Sequence, residues 1–138
     1  AQLKKLDQVI CAHQKHKKAI IEQIENLPII FRKKPKEFLD TSDALIFFVK
    51  DKSTALKCRE SLISKGFSTK ILPEAYTWHF AATWDHITEM YEDWEMFIDD
   101  LKPSKEIIEK AVSLPITINF NKESTVKIYN CIKDVFKI

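Results

Sequence analysis

Residues 44–49 read Ala44-Leu45-Ile46-Phe47-Phe48-Val49, a continuous apolar run bounded by Asp43 on one side and Asp51 on the other. A short run with no polar alternation leaves no side to give to water, so it reads as a central strand buried on both faces. Downstream, Ser53 is placed to cap a helix whose apolar members Leu56, Leu62 and Ile63 run to a stop at Lys65-Gly66. Upstream lies the densest basic run of the chain, Arg32-Lys33-Lys34-Pro35-Lys36, which reads as a solvated loop. Beyond it, Leu3, Leu6, Ile10, Ile20, Ile24 and Leu27 recur at helical spacing, predicting a long amphipathic helix over residues 1–26 that ends before Pro28. No capping residue precedes Leu3, as in a helix cut from something longer.

On the C-terminal side, residues 67–72 alternate and end at Pro73, which suits a half-buried or edge strand. The loop that follows, residues 73–86, reads PEAYTWHFAATWDH and crowds aromatics and two histidines together. Trp84, Ile87, Tyr91, Trp94 and Ile98 then fall on one stripe, predicting an amphipathic helix over 84–99 whose aromatics are mainly core. A short helix is expected from Pro103-Ser104 to about Val112, then a third strand over 115–120 with Ile116, Ile118 and Phe120 on one face. Asn121 can cap a last helix carrying Val126, Tyr129, Ile132 and Phe136 inward. The sum is an α+β fold, an α/β sandwich in which helices cover a three-stranded sheet, formed as one domain over residues 1–138.

Composition narrows the chemistry. The chain has 138 residues, 45% of them apolar, enough for one buried core. Its 22 Lys+Arg against 20 Asp+Glu give a net charge of +2, no electrostatic footprint for nucleic acid or an anionic membrane. No stretch of about 18 apolar residues is present, and the N-terminal segment lacks a signal-peptide core. Cys11, Cys58 and Cys131 are odd in number and far apart, as reduced thiols are; a soluble, cytoplasmic protein is expected.

Gly66 is the sole glycine, so neither a Gly-rich phosphate cradle nor a strained nucleophile elbow can be built from these residues. His86 and Glu89 have metal-chelating spacing but are only two ligands; solvated helix-face residues are the better reading, and no metal is expected. His79 differs, because it sits with Trp78 and Phe80 in a loop beyond a strand end, where scaffolds present functional side chains. Spacing alone leaves a contact residue and a packed histidine equally open there.

Several phrases in order carry a resemblance. Gln2-Leu3-Lys4-Lys5-Leu6-Asp7, the segment Lys65-Gly66-Phe67 through Leu72-Pro73, the pair Trp78-His79-Phe80-Ala81 and Trp84-Asp85-His86, and Ser113-Leu114-Pro115-Ile116 are similar to motifs of the DegT/DnrJ/EryC1/StrS family of pyridoxal-phosphate-dependent sugar aminotransferases. The resemblance covers nearly the whole chain. It implies the C-terminal small domain of a fold-type I aminotransferase, with the large catalytic domain, its Schiff-base lysine and its phosphate-binding loop lying upstream. The parent enzyme would use pyridoxal phosphate, move an amino group from an amino-acid donor to a nucleotide-linked keto-sugar, and form a homodimer. The family's substrate-facing loop maps onto His79, with Trp78 as a wall for the sugar; the sequence here is Trp78-His79-Phe80 where Pro-His-Gln is commoner. On this reading the isolated chain binds no cofactor and is inactive. Two alternatives accompany it: the small domain of a pyridoxamine-phosphate-dependent sugar dehydratase of the same family, and a freestanding ferredoxin-like binding or regulatory module.

Overall fold

The computed structural model describes residues 3–33, 40–68, 77 and 80–137. A 3₁₀ turn, Leu3–Lys5, leads into helix α1, Leu6–Ile24. Two short strands follow, β1 (Ile30–Phe31) and β2 (Ala44–Phe48), then helix α2 (Lys52–Ser64). After 3₁₀ turns at Ala81–Thr83 and Asp85–Met90 come helix α3 (Trp94–Glu109), strand β3 (Ala111–Pro115) and helix α4 (Lys122–Phe136). The strands form one antiparallel sheet in the order β1-β2-β3, so the fold is α+β with 44–49 at its centre, as its sequence implies.

Register decides which side chains reach the core. Leu45 pairs with Leu114 and Phe47 with both Val112 and Phe31, putting these on one face. Against that face lie Ile20 and Ile24 of α1, Ala55, Cys58 and Leu62 of α2, and Ile128, Cys131 and Ile132 of α4. Helix α4 touches both α1 and α2 and so occupies the middle of the helical layer. Phe47 is the largest fully buried side chain. The opposite face carries Ile30, Ala44, Ile46 and Phe48, and there the expectation of two buried faces fails: Ala44, Ile46 and Phe48 are half-buried and Ile30 is exposed. The three helices that build the core all lie on the first face, so the run is buried at alternate positions.

Local chemistry explains where the elements stop. The carboxylate of Asp51, not Ser53, caps α2, accepting from the Thr54 amide at 2.7 Å, which with the Thr54 hydroxyl holds its pKa below the usual carboxylate value. At the other end Gly66 takes φ +83°, and the amides of Gly66 and Phe67 turn back onto the carbonyls of Ile63 and Leu62, closing a Schellman cap. Asn121 caps α4 in a reciprocal box with Ser124.

Four expectations shift. Strand β3 lies at Ala111–Pro115 rather than 115–120, because the uninterrupted buried run pairs with β2 while Thr117 to Phe120 turns toward the α4 cap; Ile118 is exposed. Helix α3 passes through Pro103 instead of starting there. Residues 84–99 are not one helix but a 3₁₀ segment followed by α3, and their stripe is not core: Tyr91 is exposed and Trp84, Ile87, Trp94 and Ile98 are half-buried. Phe67 and Ser68 form no strand, and the remainder of the expected strand over 67–72 lies outside the described residues.

Candidate functional site

The loop that carries Trp78 and His79 is visible from its two ends, since both residues lie outside the described ones. Phe80 is buried, 5% exposed, and anchors the downstream end. From the 3₁₀ turn Ala81–Thr83, the Thr83 hydroxyl lies within hydrogen-bond distance of two carbonyls, Phe80 O at 2.8 Å and Thr77 O at 3.2 Å, sharing its one proton between them. One hydroxyl therefore fixes the backbone on both sides of positions 78 and 79.

Beyond the clamp, the backbone opens at Trp84 and winds again through the 3₁₀ segment Asp85–Met90. The His86 imidazole stacks on the Trp84 indole, centroids 5.9 Å apart and planes within 19°. His86 and Glu89 are both exposed, and among the described residues no group of three His, Cys, Asp or Glu side chains gathers as metal ligands. The Asp93 carboxylate caps α3 through the Met96 amide at 2.9 Å. This turn brings Tyr91 against Phe97, rings stacked at 4.0 Å, and Trp94 beside Phe97 at 5.3 Å.

Thiol chemistry is not supported in the core. Burial pushes the Cys58 thiol up to about 12 and also raises that of Cys131, so each stays protonated near neutral pH and is a poor nucleophile. All three cysteines are free. Pyridoxal phosphate, which the family resemblance implies, does not fit the described residues. Among the described residues the buried lysine is Lys17, whose side chain is engaged in an ion pair with the Asp40 carboxylate at 2.9 Å. The one glycine is spent on the α2 cap, leaving no Gly-rich cradle for the phosphate.

Sequence reasoning passed over one feature of this region. Between Lys70 and Lys102 there is no Lys or Arg, while eight Asp and Glu fall in the same interval. The near-zero net charge of the chain hides a strongly acidic segment set in a basic remainder, and counting charges in windows would have exposed it.

Residues 1–133 match the profile of the DegT/DnrJ/EryC1/StrS aminotransferase family. Among solved structures, Spr1654 of Streptococcus pneumoniae, described as a proposed sugar aminotransferase, superimposes with a TM-score of 0.77 at 12% identity, over 99% of this chain and 33% of its own. TlmJ, an aminotransferase of Streptoalloteichus hindustanus, gives 0.74 at 12% identity, over 99% and 34%. PseC of Helicobacter pylori, an aminotransferase involved in pseudoaminic acid biosynthesis, gives 0.67 at 17% identity, over 99% and 35%. The chain thus spans about a third of the length of the aminotransferases it matches.

Proposed function

Because this chain belongs to the DegT/DnrJ/EryC1/StrS aminotransferase family, we propose that it is the C-terminal small domain of a pyridoxal-phosphate-dependent aminotransferase acting on a nucleotide-linked keto-sugar. The match over residues 1–133 carries this reading. In such an enzyme the cofactor supplies an electron sink for moving an amino group between an amino-acid donor and the sugar carbonyl. The lysine and phosphate donors that hold it belong to the rest of the polypeptide, and the enzyme works in the cytoplasm as a homodimer.

The task of this domain is to present one wall of the substrate cleft. His79 offers a hydrogen bond to the substrate and Trp78 a flat apolar surface for a sugar ring; the Thr83 clamp and buried Phe80 support the reading by fixing the loop's ends. In the complete enzyme, His79→Ala should lower kcat/KM about 10–100-fold by removing one polar contact, with little change in melting temperature. Loss of folding with normal kinetics in the surviving enzyme would instead make His79 a packing residue.

The decisive observation is the reading frame upstream of Ala1. Roughly two further chain-lengths of alternating strands and helices, with a lysine at a strand end, support the aminotransferase. Histidine in place of that lysine favours the dehydratase of the same family. A start codon immediately before Ala1 would sink both and leave the freestanding module.

A further inference from the structure

Among the described α-helices, α3 is the one without a fully buried side chain. It has 16 residues and a proline in its interior. A helix of that length is marginal alone in water, and a proline removes one of its hydrogen bonds, so most of its stability must come from packing of its apolar side. That side is largely bare. Met96 is 63% exposed, and Met90 and Tyr91 on the preceding turn are 77% and 43% exposed. Tyr91, Trp94 and Phe97 lean on one another instead of on the core. Their spacing is that of a buried stripe, and the described residues provide no full cover for it.

The surroundings describe what the cover must be. The same stretch lies in the acidic interval between Lys70 and Lys102, and the exposed Glu89, Glu92 and Glu95 alternate with the apolar residues along it. A complementary surface has an apolar hollow with Lys and Arg around it. The chain matches a third of each solved aminotransferase over nearly all of its own length. The two thirds of those structures that this chain does not span are ample to form such a surface.

We propose that the acidic aromatic face formed by Met90, Tyr91, Trp94, Met96 and Phe97 is the docking surface of this domain for the remainder of its own polypeptide, which meets it with an apolar hollow rimmed by lysine and arginine. The inference rests on the chain being one domain of a larger aminotransferase. It goes further by naming the face and the chemistry of its cover.

Tryptophan fluorescence reads this directly, since Trp94 is in the patch and a Trp94→Phe variant isolates its signal by difference. In the 138-residue chain, Trp94 should be open to quenchers, caesium acting more strongly than iodide because of the surrounding carboxylates, and the chain should sediment as a monomer. In the complete encoded polypeptide the Trp94 signal should be protected several-fold from both ions. Met96→Asp should leave the melting of the short chain unchanged and restore quenching in the complete one. Equal quenching in the two forms, or a reading frame that encodes no more than these residues, overturns the proposal. So does a short chain that dimerises with Trp94 protected, for then a second copy is the cover. A complete polypeptide that protects Trp94 but neither binds pyridoxal phosphate nor transaminates would leave the docking surface standing and reject the aminotransferase reading.

Discussion

Lys17 is a lysine taken almost wholly out of water, and it is ion-paired with a carboxylate. Its ammonium meets Asp40 at 2.9 Å, while the other oxygen of Asp40 accepts from the amide of Ser42, a residue held at φ +59°. The pair therefore ties α1 to the backbone turn that leads into β2. Lys17→Met should cost about 1–3 kcal/mol in urea unfolding, because it strips the partner from a part-buried carboxylate; adding Asp40→Asn should recover part of the loss. The thiols give a second residue-level test. Native protein should show one fast thiol toward a disulfide reagent, Cys11, which is exposed, and two more only on unfolding. Burial raises the Cys58 pKa from 9.0 to about 12. Its contribution to stability is therefore complete below pH 9.0 and is lost as pH climbs toward about 12. Neither pattern was legible beforehand, since Lys17 stands among four other polar residues in Gln14-Lys15-His16-Lys17-Lys18 and only the turn of the helix selects it.

Within β2 the two adjacent phenylalanines separate the faces of the sheet. Phe47→Ala should cost about 3–5 kcal/mol by opening a cavity between β2 and the helical layer. Phe48 is half-buried on the other face, so Phe48→Ala should cost less, about 1–2 kcal/mol by area. Comparable losses at the two sites would show that the second face is also packed. Asn121→Ala removes the half of the α4 capping box in which the Asn121 side chain accepts from the Ser124 amide, and should cost about 1 kcal/mol, measurable as a shift in unfolding midpoint with unchanged slope. Elements with strong local signals were readable from sequence: the 44–49 run, the Gly66 stop and the Asn121 cap. The rest needed tertiary information. Ile30–Phe31 is too short to announce itself, and the alternation of Ile116, Ile118 and Phe120 imitates a strand, although pairing with β2 selects the residues just before it.

At the scale of the molecule, the family was legible because its motifs are spread along the chain in order. The acidic segment was not, because whole-chain charge cancels. A chain with this fold and without a cofactor cradle among its described residues should fold but not transaminate. Incubated with pyridoxal phosphate and an amino donor, the 138 residues should give only slow labelling of surface lysines; a stoichiometric, rapidly formed cofactor band would contradict the division of labour proposed above. The placement of α4 has one more consequence. It is last in sequence yet sits between α1 and α2, supplying Ile128 and Ile132 to a core that β2 enters from the other side. During synthesis the earlier elements emerge from the ribosome with no central helix to close on. The core can shut only when residues through Phe136 have cleared the exit tunnel, so a nascent domain stalled short of that point should remain open to protease along its whole length.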